Sequence, residues 1–151
     1  MNNRMFERDL FIDKPIDEVF TFFSDASNLN LVTPSWLHFE ILTPTPIHMQ
    51  LGAKIEYRLR LHKIPITWKT EITGWDPPNR FVDSQTKGPY AIWIHEHRFV
   101  VKNGGTLMTD YIEYRSRGGV FEPIIHHLFV KKDIEHIFDY RTERFKEIFK
   151  S

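Results

Sequence analysis

The chain reads as a single α+β domain, a curved antiparallel sheet of about six to seven strands wrapped around a long C-terminal helix, with two short helices after the first strand. Three observations predict this. Apolar residues alternate with period two between residues 54 and 116, and Asn103-Gly104-Gly105 sits between two long runs as a hairpin turn. From about Phe121 to Phe149 the apolar period changes to that of a helix, roughly 43 Å long at about 1.5 Å per residue, the only segment long enough to cover such a sheet.

Residues 5–12 form the first strand. Lys14-Pro15 then opens a helix in which Ile16, Val19, Phe20 and Phe23 share one face, with Asp17 and Glu18 favourably placed in its first turn. Ser24 to Asn28 interrupts it, and a second helical turn ends before Pro34, because the residue ahead of a proline is pushed out of the helical region. Thr43-Pro44-Thr45-Pro46 is a stiff connector. Residues 54–62 put Ile55, Tyr57, Leu59 and Leu61 on one face of a strand, and Lys63-Ile64-Pro65 is expected to turn it. The next strand, Ile66 to Gly74, turns Trp68 inward. Asp76-Pro77-Pro78-Asn79 leads to a strand over 80–86, and 90–101 and 106–116 form the last hairpin. On the C-terminal helix a projection at about 100° per residue places Pro123, His127, Val130, Ile134, Ile137, Phe138, Phe145 and Ile148 on the inward stripe.

Composition excludes several functions. Twenty Lys and Arg balance twenty Asp and Glu, so the positive field that nucleic acids attract is missing, and no nucleic-acid partner is expected. Without Cys there is no thiol nucleophile, thiolate metal site or disulfide. No apolar run approaches the ~18 residues of a membrane span and no signal peptide is visible, so a cytoplasmic protein is expected. Serine-hydrolase, P-loop, dinucleotide and zincin motifs are absent. The chain is rich in aromatics, with 13 Phe, 5 Tyr and 4 Trp, which bury large areas or line pockets for apolar ligands.

The hairpin register locates the candidate chemistry. With Asn103-Gly104 at the turn, Phe99 faces Met108, His97 faces Asp110, His95 faces Ile112 and Trp93 faces Tyr114. The opposite face carries Glu96, Arg98, Glu113 and Arg115, which belong in water, so the two imidazoles and Asp110 point inward. Three roles are open to them: a structural His97–Asp110 hydrogen bond, ligand orientation, or acid–base and metal chemistry. No metal and no cofactor are expected, because two imidazoles and one carboxylate on one hairpin are a sparse ligand set. Trp68, Phe81, Trp93, Phe99 and Tyr114 read as core or as cavity lining. Asp83 and Gln85 share a face with Phe81, which makes Gln85 a candidate ligand contact or a partner of nearby backbone. Arg141 interrupts the helix stripe, either to pair with a sheet acid, which is the favoured reading, or to clamp an anionic group. Ile125 and Phe129 fall opposite the stripe and are candidates for a homodimer contact, or for packing on the short helices and the 117–120 loop.

Trp68-Lys69-Thr70-Glu71-Ile72, Asp76-Pro77-Pro78, Arg80-Phe81, Gly88-Pro89-Tyr90, Trp93-x-His95-x-His97-x-Phe99, Gly104-Gly105-Thr106 and Ile137-Phe138-Asp139-Tyr140-Arg141 resemble a bacterial subfamily of the START-like (SRPBCC) superfamily. The resemblance covers essentially the whole chain and implies the helix-grip fold of birch-pollen-type allergens, START domains and aromatase/cyclases. It also implies a small hydrophobic or aromatic ligand, a lipid or polyketide for example, held between sheet and helix. On that reading the ligand-binding set is Trp68, Phe81, Gln85, Trp93, His95 and His97, together with Phe99, Met108, Asp110, Ile112, Tyr114 and Phe138. Two alternatives accompany it: a small cyclase or dehydrase using His95, His97 and Asp110 as acid–base groups, and a partner-regulating module like the co-chaperone members.

Overall fold

The computed structural model describes residues 2–150. Its elements are β1 (Arg4–Ile12), α1 (Ile16–Phe23), α2 (Leu29–Val32), β2 (Glu40–Ile41), β3 (Lys54–Leu61), β4 (Ile64–Asp76), β5 (Arg80–Lys87), β6 (Tyr90–Lys102) and β7 (Gly105–Ser116). A C-terminal helix follows as α3 (Glu122–Ile125), a π-helical segment (His126–Val130) and α4 (Lys131–Ile148). The strands form one seven-stranded antiparallel sheet in the order β1-β7-β6-β5-β4-β3-β2, curved around the C-terminal helix.

Turn chemistry fixes the meander. Asn103 (φ 50°) and Gly104 (φ 78°) make a two-residue turn that pairs Lys102 with Gly105, and the expected register of β6 on β7 follows. The β3–β4 turn lies one residue earlier than expected. His62 (φ 49°) and Lys63 (φ 69°) are its central residues, while Ile64 and Pro65 already belong to β4. Pro65 is tolerated there because β4 pairs with β5 only from Lys69 onward, so the missing N–H leaves no ladder bond unmade. A register shift between Ile72 and Gly74 bends β4; a Cβ on Gly74 would lie 2.9 Å from Val82 Cγ2.

Two buried clusters divide the interior. One gathers Val19 and Phe20 of α1 with Ile72, Phe81, Phe99, Met108 and Phe145. The other gathers Leu59, Trp68, Tyr90, Ile112, Tyr114, Ile134 and Phe138. The helix stripe holds from Val130 to Ile148 but slips before it. Pro123 and His127 are exposed, whereas Glu122 and His126 are buried. The cause is the π segment, whose wider turn takes in an extra residue and rotates everything N-terminal to it. Glu122 consequently meets Arg4 at 3.0 and 3.2 Å, and His126 Nε2 meets the Tyr114 hydroxyl at 2.7 Å. Ile125 is half-buried, close enough for its Cδ1 to crowd a Cβ on Gly118, so it packs on the 117–120 loop instead of facing outward. Phe129 is half exposed beside His62.

Candidate functional site

A cavity of about 170 Å³ lies between the sheet and α4. Trp68 on β4, Phe81 on β5, Trp93, His95 and His97 on β6 and Phe138 on α4 line it, as expected from alternation and from the helix stripe. Gln85, Phe99, Met108, Asp110, Ile112 and Tyr114, expected as ligand contacts, do not. Phe99, Met108 and Ile112 face inward but are wholly covered by neighbouring side chains. Tyr114 is committed to His126. Gln85 folds back on the β5–β6 connection, donating to Tyr90 O at 2.8 Å and accepting from Tyr90 N at 3.2 Å. Asp110 sits behind His95.

The polar centre is a ladder across three strands. In backbone register Asp83 faces His95 and His97 faces Asp110, yet both hydrogen bonds run diagonally. His95 Nε2 donates to Asp110 Oδ1 at 2.7 Å, and His97 Nε2 donates to Asp83 Oδ2 at 2.7 Å. The expected His97–Asp110 bond is absent: His97 Nδ1 lies 3.5 Å from Asp110 Oδ1 without bonding it. Stacking explains the preference. The two imidazoles lie face to face with centroids 3.8 Å apart, and His97 also stacks on Phe81 at 4.1 Å, which aims each Nε2 at the carboxylate of a strand flanking β6. The ladder bridges the two apolar clusters, since His97 rests on Phe81 of one and His95 touches Phe138 of the other at 5.8 Å.

Burial pushes the His97 pKa down, helped by His95, and outweighs the pull of Asp83 and Asp110, so the ring is neutral near pH 7. Burial acts upward on Asp83 and Asp110, but the imidazole N–H bonds and the fields of the histidines and Arg141 hold both below the usual carboxylate range. With both histidines bonded at Nε2, a neutral His95 ring keeps an acceptor lone pair at Nδ1.

Sequence reasoning passed over Tyr57, and it chose Gln85 where the structure uses Asp83. Both Tyr57 and Asp83 line the cavity, as does Arg141. Asp83 carried the signal, since alternation puts it on the face of Phe81. Tyr57 shared the inward face of β3, but nothing local says that β3 borders the cavity. Arg141 makes no ion pair with a sheet acid among the described residues, against the favoured expectation. Its guanidinium lies over Phe138 and Phe145, 5.3 and 5.6 Å from the ring centroids, with a buried, unbonded Nε. Among the described residues, Asp83, His95 and His97 bring candidate metal-ligand atoms within 4.8 Å of one another, a different set from the one the hairpin register suggested. Each imidazole Nε2 in that set is already directed at a carboxylate, and Arg141 opposes a cation.

No protein-family profile and no curated protein sequence matches the chain. Solved structures do. Ginseng major latex-like protein 151 from Panax ginseng superposes with a TM-score of 0.72 over 100% of both chains at 11% identity. The protein TTHA0849 from Thermus thermophilus gives 0.71 over 93% of this chain and 96% of its own at 15% identity. The Zhui aromatase/cyclase from Streptomyces sp. R1128 gives 0.68 over 97% of this chain and 96% of its own at 14% identity. The antiparallel sheet closed on its C-terminal helix, and these superpositions over nearly whole chains, give the protein the same helix-grip, SRPBCC/Bet v 1-like fold as these structures.

Proposed function

We propose that the protein binds a small apolar or aromatic molecule in the cavity between sheet and helix. The observation that carries this reading is the aromatic wall of Tyr57, Trp68, Phe81, Trp93 and Phe138 around a space with a few convergent polar groups at one side, the usual composition of a ligand site. At about 170 Å³ the cavity is near the ~150 Å³ of apolar cavities that take up benzene and below the ~300 Å³ where drug-sized sites begin, so one or two rings suit it better than an extended lipid. Native mass spectrometry of the purified protein, and thermal unfolding against one- and two-ring aromatics, test it. A bound compound at ~100 Kd adds roughly 2.7 kcal/mol of stability; a panel that never raises the melting temperature overturns the reading.

The two His–Asp pairs favour a second reading, acid–base catalysis of cyclisation or dehydration with His95 as the proton-transfer group and Asp110 orienting it. Turnover that survives His95→Ala would rule this out.

A further inference from the structure

Asp83 and Arg141 line the same cavity with opposite charges and do not touch. Asp83 spends Oδ2 on His97, and its Oδ1 makes no hydrogen bond among the described residues. Arg141 has no hydrogen bond and no ion pair among the described residues, although each group lies in the other's field. Opposite charges held apart, half-buried against an aromatic wall, are unfavourable unless something satisfies both. The Tyr57 hydroxyl belongs to the same region: it lies in the fields of both Asp83 and Arg141 and bonds neither.

We propose that this divided ion pair selects a neutral ligand whose polar end presents an acceptor beside a donor, such as an aromatic carboxamide, with the carbonyl oxygen toward Arg141 and the N–H toward Asp83. The inference rests on the cavity-binding reading and specifies its ligand class. Charge decides between candidates. A carboxylate would gain Arg141 but meet Asp83, with Asp110 behind it; an ammonium would gain Asp83 but meet Arg141. A hydrocarbon would leave both unsatisfied. Only a dipolar group serves both, and sites whose buried polar groups need a partner reject ligands that lack one.

Binding of benzamide, benzoate, benzylamine and ethylbenzene to the whole chain, followed by titration calorimetry, tests this. Benzamide is expected to bind at least tenfold more tightly than the other three, within the range that charged hydrogen bonds give. Arg141→Gln should raise benzylamine affinity at least tenfold, and Asp83→Asn should do so for benzoate; either variant alone is informative if the other fails to fold. Ethylbenzene binding as tightly as benzamide overturns the inference and leaves the cavity reading standing. Benzoate preferred by the native protein makes Arg141 an anion clamp and also overturns it. If none of the four binds, the inference falls, and the wider thermal-unfolding panel decides the cavity reading.

Discussion

His97 and Asp110 sit directly opposite each other on β6 and β7, yet His97 gives its hydrogen bond to Asp83 on β5, leaving its Nδ1 3.5 Å from the Asp110 carboxylate. Asp110 serves His95 instead.

Asp110→Ala is expected to lower stability by about 1–3 kcal/mol, because it strands the buried His95 N–H. The double change His95→Phe with Asp110→Leu should restore much of that loss, since it removes both polar groups together. Urea unfolding of the three proteins measures it; a double variant weaker than the single one refutes the pairing.

Acid should weaken the fold in two stages. A His97 held below its ordinary 6.5 binds its proton more readily when unfolded, so its contribution is complete above that pH and shrinks as pH falls through it. Asp83 and Asp110, held below their ordinary 3.8, contribute above that value, and this is lost as pH falls further. Unfolding free energy measured against pH should therefore decline first near pH 6.5 and again below about 4, and His97→Phe should reduce the first decline to the part that His126, also held below 6.5 by burial, contributes.

Trp93→Ala and Phe99→Ala should part company. Phe99 is 1% exposed and packs on Phe20, Phe23 and Phe81, so its truncation costs ~3–5 kcal/mol of stability. Trp93 lines the cavity, so its loss should weaken ligand affinity more than folding. Equal stability losses would place Trp93 in the core.

Arg4→Ala should cost more than Arg58→Ala. Glu122, 4% exposed, depends on Arg4, whose bond holds its pKa down against burial; stranding it costs on the order of 1–3 kcal/mol. The Arg58–Glu40 pair lies in water and contributes about 0–1 kcal/mol. Thermal melts at low and high salt separate the two, because only the exposed pair should fade with salt.

What sequence made legible followed from strict local periods. Alternation and one Asn-Gly turn sufficed to face His95 and His97 inward and to pair Phe99 with Met108. What it hid depended on departures from period or on choices between near neighbours. The π segment moved His126 inward in place of His127, and no residue in His126–Val130 announces a wider turn. Ring stacking redirected His97 from Asp110 to Asp83, a contact decided by three strands, whereas hairpin register concerns only two. Arg141 needed the depth of the cavity, which no local pattern encodes.

The histidine ladder also has a consequence for strand alignment. Apolar faces alone would tolerate a slide of β6 along β7 by two residues, since that returns the same faces to the core. Such a slide would put either Phe99 in the place of His97 or Trp93 in the place of His95, so that one of the two acids loses the imidazole that donates to it. The two diagonal bonds thus act as a key that admits one alignment of the central strands, and they tie the two apolar halves of the interior to a single frame.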